Sequence, residues 1–387
     1  MTNKKDIQKK VFLRTFGCQM NIRDSEVISG LLNKEGYKII DEPDKADIIL
    51  FNTCSVRQHA EDKVWSEIGR IAKFKGQSRS GRGPIVGLIG CMAQNYKEKI
   101  FDKVPNVSFV VGPQDLHKIP EVIKKLSAGD FFQRKIWETD GGIRPEEIYH
   151  TGFYQDKQHA YIVISEGCSN YCSYCVVPYV RGELRNRNYK EVLKEIEEAV
   201  DKGITKITLL GQNVNAYQCN DVSFAKLIEF VNLVKGLEEF SFITSHPKDT
   251  TIDLFKTMVN LEKLKKYLHL PIQSGSDRIL KLMNRGYTRK FYLDLVDNYR
   301  KILKDATLTT DIIVGFPTET ETDFLKTHNL VKDIEFDAAY IFKYSPRPHT
   351  EAEKLADDVE RKEKEERHKT ILDAQKDISN KKKCLKK

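Results

Sequence analysis

Cys168, Cys172 and Cys175 fall within one short stretch, EGCSNYCSYCVVPYVRG, at intervals of four and three residues. Thiolates so closely spaced are metal ligands by type. A structural zinc ion takes four ligands and closes its shell, and its short-spaced cysteines usually come as two pairs. An ordinary iron–sulfur cubane has a cysteine on each iron. Three thiolates hold a cubane and leave one iron free for a group that is not protein. The competing reading is a zinc ion completed by a distant His or Cys.

A second trio has a different rhythm. TFGC, FNTC and LIGC each close an apolar run, and Cys18, Cys54 and Cys91 stand 36 and 37 residues apart, about one βα repeat each. In a parallel sheet that spacing brings three thiols to the carboxyl edge, where open α/β sheets bind ligands. Taken singly, each reads as a small buried residue ending a strand. Three at one structural phase read as a cluster site. Cys219 and Cys384 follow neither pattern and read as free thiols.

The elements that must position these thiols show in the hydrophobic pattern. Residues 10–125 alternate apolar runs (VFLRTF, ADIILFN, GPIVGLIG, VSFVVG) with amphipathic stretches, as an α/β unit with a parallel sheet does. In DSEVISGLLNKEG, Asp24 reads as a helix N-cap and Gly36 as its stop. GQSRSGRGP, 76–84, reads as a surface loop. Residues 126–158 show no sustained period and read as a linker. From 159 to 380 six strand candidates alternate with helices, which predicts a (β/α)6 partial barrel. They are AYIVISEG, ITKITLLGQ, EEFSFITSH, KYLHLPIQ, LTTDIIVGFP and AAYIFKYSP. Polar residues follow these strands, among them Gln212, Asn213, Ser245, His246, Gln273 and Ser274, forming the rim where such barrels do chemistry. Residues 381–387 form a lysine-rich tail.

Composition narrows the class. The chain has 387 residues, 40% of them apolar, enough for two or three domains. No stretch approaches the ~18 consecutive apolar residues of a membrane span. The basic start runs directly into a strand with no apolar signal core. A cytoplasmic protein with reduced thiols is expected. Eight cysteines are too few for a disulfide scaffold, and the net charge of +8, about half of it in the tail, permits a polyanionic partner.

The C-x3-C-x2-C spacing, on a loop after the first barrel strand, resembles that of the radical S-adenosylmethionine superfamily. The resemblance implies that the cofactor's amino and carboxylate groups take the open iron of a [4Fe–4S] cluster. It further implies that one electron from the cluster breaks a C–S bond, and that the resulting 5′-deoxyadenosyl radical takes hydrogen from an inert C–H. Tyr174 matches the aromatic position that packs near the cofactor's adenine, with simple loop packing as the other reading. Gln212 and Asn213 stand where members carry a polar cofactor-contacting motif, although GQN departs from the usual glycine–glycine–glutamate form.

TFGCQMNIRDSE, NTCSVRQHAEDKV and GLIGCMAQ, with the barrel trio, resemble the methylthiotransferases from residue 10 to about 380. That family implies a second [4Fe–4S] cluster on Cys18, Cys54 and Cys91, with one iron anchoring the sulfur to be transferred. GCQMN, NTCSVR and LLGQNVNAY look most like members that act at C2 of N6-isopentenyladenosine in the tRNA anticodon stem-loop. N6-threonylcarbamoyladenosine or a ribosomal-protein aspartate is the alternative within the family, and a metal-holding RNA-binding protein the alternative outside it. A base already single-stranded can be splayed into a pocket at modest cost. Arg57, Lys63, Arg181, Arg185 and Arg187 are candidates, as a group, for phosphate or base contacts. His246 and His269 are candidates to line the pocket, a structural role being the alternative for each. The expected partners are tRNA and a reductant, with no membrane, and the expected state is a monomer. The family carries a C-terminal RNA-binding β-barrel, expected to be absent here because ISNKKKCLKK stands where it would begin.

Overall fold

The computed structural model describes residues 8–55, 58–71, 83–127 and 135–385. They form two compact units: Met1–Tyr161 with Tyr179–Gly182, and Ile162–Pro178 with Glu183–Lys387. Among the described residues no helix is long and apolar enough to cross a membrane.

The first unit is built on a parallel sheet of six strands: β1 (Lys10–Phe16), β2 (Lys38–Ile40), β3 (Ile48–Thr53), β4 (Ile85–Gly90), β5 (Phe109–Val111) and β6 (Ile136–Glu138), in the order β2-β1-β3-β4-β5-β6. Its helices are α1 (Gln19–Lys34), α2 (Gln58–Ile71), α3 (Cys91–Tyr96), α4 (Lys99–Lys103) and α5 (Ile119–Ser127). β3 and β4 are buried along their whole length, as central strands covered on both faces must be. Alternation divides their side chains. Ile48 and Leu50 join Ile28, Leu32 and Ile119 in one core, while Ile49 and Phe51 join Val64, Ile68 and Met92 in the other.

The strand order reverses at β1, which has β2 on one side and β3 on the other, all three parallel. The carboxyl end beside such a reversal is the ligand crevice of open α/β sheets. Phe16 is in register with Thr53, and Thr53 with Gly90, so β1, β3 and β4 end level with one another.

Two expectations for this unit are corrected. The described part of the stretch read as a linker, 126–158, belongs to the first unit: Ile136 pairs with Phe109 as β6 extends the sheet, and Tyr149 and Phe153 carbonyls accept from Arg23 of α1 (2.9 and 3.2 Å). A three-residue, half-exposed edge strand is too short to show a period. Asp24 is not an N-cap, since α1 starts five residues earlier with Cys18 at the cap and Asp24 buried in its interior. Gly36 does follow the helix end, at φ +82. The loop read at 76–84 lies largely outside the described residues.

The second unit carries the barrel strands, with the start of β7 (His159–Val163) and the end of α6 (Val177–Arg181) falling in the first. After β7 come β8 (Ser165–Glu166), α6, β9 (Arg185–Asn186), α7 (Tyr189–Asp201), β10 (Lys206–Leu210), β11 (Gln218–Cys219), β12 (Val222–Ser223), α8 (Phe224–Leu233) and β13 (Glu239–Phe242). Then follow α9 (Ile252–Asn260), β14 (Tyr267–His269), α10 (Asp277–Leu282), α11 (Arg289–Ile302), β15 (Thr307–Val314), α12 (Glu321–Ile334), β16 (Ala338–Lys343) and α13 (Arg361–Leu385). β7-β10-β13 and β14-β15-β16 run in chain order, and a parallel bridge from Phe240 to Leu264 joins the two sets. Ser223, Thr251, Thr288 and Thr320 cap α8, α9, α11 and α12 by accepting from the third backbone N–H of each helix. All six strand candidates form barrel strands. The tail lysines Lys381–Lys383 continue α13 rather than leaving it.

Candidate functional site

The level ends of β1, β3 and β4 place Cys18, Cys54 and Cys91 side by side. Adjacent strands lie ~4.8 Å apart, so the three backbones span ~10 Å. Local sequence makes each placement possible. A Cβ at Gly17 would collide with the Asn21 side chain and stand 2.9 Å from the Cys54 Cβ. Gly90 holds φ +90, and a Cβ there would meet the Thr53 carbonyl at 2.9 Å. Asn21 then ties the turn at Cys18 to the end of β3. Its Oδ1 accepts from the Cys18 backbone N–H (3.3 Å) and thiol (3.4 Å), while its Nδ2 donates to Asn52 Oδ1 (3.1 Å). Asn52 Nδ2 returns a bond to the Asn21 carbonyl (2.8 Å). Both asparagines sit inside the quoted motifs GCQMN and FNTC, which was the one sequence signal for them.

Arg181, 3% exposed, donates from Nε to Cys91 Sγ (3.2 Å) and from Nη2 to Asp24 Oδ2 (2.7 Å). Arg144 Nη1 takes the other Asp24 oxygen (2.9 Å). Burial works against ionising Asp24, but the two guanidinium groups outweigh it and hold its carboxyl below the usual carboxylate range. The Cys54 thiol, donating to Cys18, and the Arg181 charge hold the Cys18 thiol down at about 6 despite burial. Burial raises Cys91, an effect that Arg181 reduces.

The barrel trio sits on the loop after β7. Gly167, at φ +72, turns the chain ahead of Cys168, and the Cys175 N–H donates to the Cys172 carbonyl (2.9 Å). Arg285, 4% exposed, donates from Nη1 to Cys172 Sγ (3.2 Å) and to the Tyr174 hydroxyl (3.3 Å). His246 Nε2 stands 3.9 Å from the same sulfur, and its Nδ1 accepts from the Lys248 backbone N–H (3.2 Å), which puts the ring proton on Nε2. Burial, with Arg285 and Lys248, pushes His246 down to about 2, so the ring is neutral. Burial raises the Cys168 thiol, and burial with the neighbouring Cys172 raises Cys175 to about 12.

The rim beside this loop carries polar atoms that nothing satisfies. Gln212 Oε1, Asn213 Oδ1, Ser245 Oγ and Gln273 Oε1 are buried with no hydrogen-bond partner among the described residues. Each such group costs about 1–3 kcal/mol. Asn213 Nδ2 donates to Asp249 (2.6 Å), and both line a cavity of about 200 Å³ that opens beside Cys168. Thr244 and Gln273 hold φ +74 and +69 at the ends of barrel strands. Positive φ at a β-branched residue is backbone strain of the kind that collects at functional sites. Orphaned acceptors, strain and a cavity together fit a polar ligand at the barrel trio.

Other expected residues divide. Tyr174 packs beside Met283, Phe316 and Tyr344 and accepts from Arg285. His269 lies apart from the trio, bonded to Thr309 (2.9 Å) and Asp311 (3.3 Å). Arg181 and Arg187 are corrected as phosphate contacts: both are buried, Arg187 against Glu195 (2.5 Å) and the Val163 carbonyl (2.6 Å). Arg185 is half-buried beside Glu166 (3.7 Å), Lys63 is exposed, and Arg57 lies outside the described residues. Arg285, Asn21, Asn52 and Asp24 were not singled out by sequence as parts of a site. Among the described residues no three His, Cys, Asp or Glu side chains converge on one metal ion. Thiolates on separate irons of a cubane stand farther apart than ligands of a single ion.

Residues 10–112 match the model of the uncharacterized protein family UPF0004, and residues 162–331 that of the radical SAM superfamily. The tRNA-2-methylthio-N(6)-dimethylallyladenosine synthase of Hydrogenobaculum sp. is 41% identical over 374 residues, covering 96% of this chain and 85% of that protein. The Clostridium perfringens enzyme of the same name is 42% identical over 383 residues, covering 97% and 84%. The chain belongs to the methylthiotransferase family of radical S-adenosylmethionine enzymes. Solved structures agree on the fold. The Kitasatospora setae methyltransferase TsrM, with cobalamin and a [4Fe–4S] cluster bound, superposes with a TM-score of 0.60 at 13% identity, covering 89% of this chain and 77% of that one. OxsB superposes with a TM-score of 0.57 at 12% identity, covering 97% and 56%. In this methylthiotransferase Cys18, Cys54 and Cys91 lie in the first unit and Cys168, Cys172 and Cys175 in the second.

Proposed function

We propose that this chain is a tRNA methylthiotransferase that adds a 2-methylthio group at C2 of N6-isopentenyladenosine beside the anticodon. The observation that carries the reading is a pair of three-cysteine sites, one at the level strand ends of the first unit and one on the barrel loop of the second. The names of the relatives at 41–42% identity support this substrate over the other adenosine and the ribosomal aspartate.

Cys168, Cys172 and Cys175 hold one [4Fe–4S] cluster, and Cys18, Cys54 and Cys91 the other. When bound, these clusters and S-adenosylmethionine supply the electron, the radical and the sulfur that the reaction needs. The protein's own work is placement. Gln212, Asn213, Ser245 and Gln273 offer acceptors to the amino and hydroxyl groups of S-adenosylmethionine, and Tyr174 its ring. His246 lies beside Cys172 as a neutral ring, and the apolar packing of Phe316 and Tyr344 against Tyr174 helps to keep water out. Asn21 and Asn52 fix the first-unit trio. tRNA and an external reductant are the partners, and the reading includes a cytoplasmic monomer.

The reconstituted protein, given S-adenosylmethionine, a reductant and a sulfide source, is incubated with isopentenylated or threonylcarbamoylated tRNA. Nucleoside mass spectrometry should show the methylthio mass increase on isopentenyladenosine alone. A product only on the other nucleoside, or on neither, contradicts the reading.

A further inference from the structure

Each cysteine trio is backed by one buried guanidinium, and the two differ in what balances their charge. Arg181 reaches Cys91 at 3.2 Å, but Asp24 holds its other side at 2.7 Å. Arg285 reaches Cys172 at the same 3.2 Å, and its remaining bonds run to the Tyr287 hydroxyl (2.9 Å), the Tyr174 hydroxyl (3.3 Å) and the Pro271 carbonyl (2.9 Å). All three are neutral. Among the described residues no carboxylate pairs with Arg285, although it is 4% exposed.

A guanidinium stays charged at any working pH, and burying it without an anion is strongly unfavourable. Four N–H bonds fix its position, so it cannot swing out to solvent. The anion that can balance it is the cluster that the Cys172 sulfur would hold. A cubane on three thiolates is a net anion, and reduction makes it more negative. A fixed positive charge beside one ligand sulfur therefore favours the reduced state, and an N–H bond to that sulfur acts in the same direction.

We propose that Arg285 is the built-in counter-ion of the cluster held by Cys168, Cys172 and Cys175, and that its bond to the Cys172 sulfur raises that cluster's reduction potential. Arg181 stands to Cys91 as Arg285 does to Cys172, except that it also bonds a carboxylate, Asp24, which it shares with Arg144. Tyr174 and Tyr287 then serve as positioning residues that aim the guanidinium. The inference rests on the barrel trio being a cluster site.

The test uses the full chain with Cys18, Cys54 and Cys91 changed to Ala, so that only the barrel cluster is observed. Arg285→Gln and Arg285→Lys are made in that background and reconstituted anaerobically. Far-UV circular dichroism checks the fold, and iron content and an EPR-monitored redox titration give the readouts. Arg285→Gln should hold less iron or show a more negative midpoint potential, and Arg285→Lys should recover most of the loss. A folded Arg285→Gln protein with full iron and an unchanged midpoint overturns the proposal. So does equal loss of iron from both folded variants, because lysine keeps the charge. If the Arg285 background itself binds no iron at the barrel trio, the cluster reading fails first and takes the counter-ion with it.

Discussion

Arg181 and Asp24 are 157 residues apart in the chain and meet at 2.7 Å in the interior of the first unit. The pair anchors the returning segment Tyr179–Gly182 and holds Arg181 so that its Nε points at Cys91. Arg144 shares the same carboxylate at 2.9 Å.

Removing that carboxylate should be severe. Asp24→Asn removes the buried carboxylate that two buried guanidinium groups bond, and breaking a buried pair from one side costs about 3–5 kcal/mol. Denaturant unfolding at pH 7 measures it. A cost below about 1 kcal/mol would mean that the pair contributes no more than a surface bridge.

The same pair predicts an acid dependence. The folded Asp24 carboxyl lies below its unfolded value of ~3.9. As pH falls, the unfolded chain binds the proton first, so the contribution is full above about pH 4 and is lost as pH drops through the folded value. The stability gap between wild type and Asp24→Asn should therefore be constant from pH 7 to about 5 and shrink below about 4. A gap that grows in acid would reverse the assigned sign.

Gly90 should be irreplaceable for one site alone. Gly90→Ala forces a side chain into φ +90 and within 2.9 Å of the Thr53 carbonyl, displacing Cys91. Iron content should fall by about four per chain while the barrel cluster persists. Gly141→Ala is the control: it has φ +73 with nothing within 4 Å, so it bears the backbone strain without the collision and should keep all the iron.

The two trios should fail differently. Cys172→Ala should abolish 5′-deoxyadenosine formation. Cys54→Ala should preserve it while stopping sulfur insertion. Liquid chromatography of both products separates the two outcomes, and methylthiolation by both variants would contradict the division of roles.

The unsatisfied rim gives a prediction about binding. Gln273→Ala removes a buried orphan acceptor, so the ligand-free protein should lose little stability. Affinity for S-adenosylmethionine should weaken about tenfold, about 1.4 kcal/mol. Calorimetric titration reads the binding, and unchanged affinity would remove Gln273 from the site.

The neighbouring positions of Cys168, Cys172 and Cys175 were legible because they stand in one short stretch, and those of Cys18, Cys54 and Cys91 because they follow strand phase, a local property that the apolar runs display. The six barrel strands were legible for the same reason. What escaped was long-range or short. Arg285 reaches Cys172 across 113 residues, and no local pattern encodes that. Asp24 resembled an N-cap because an acidic residue and a serine precede an apolar run, yet Asn21 had already closed the first turn behind Cys18. β2 and β6 span three residues each, below the length at which alternation shows. Arg181 and Arg187 resembled solvated cations until their buried carboxylate partners were known.

The most direct test of the account is metal content after anaerobic purification and reconstitution, compared between the wild-type chain and two triple-alanine variants, one for each trio. Two cubanes predict about eight irons per wild-type chain, about four in each variant, and no zinc. Bound zinc in place of iron, or a triple variant that keeps the full wild-type complement, would contradict it.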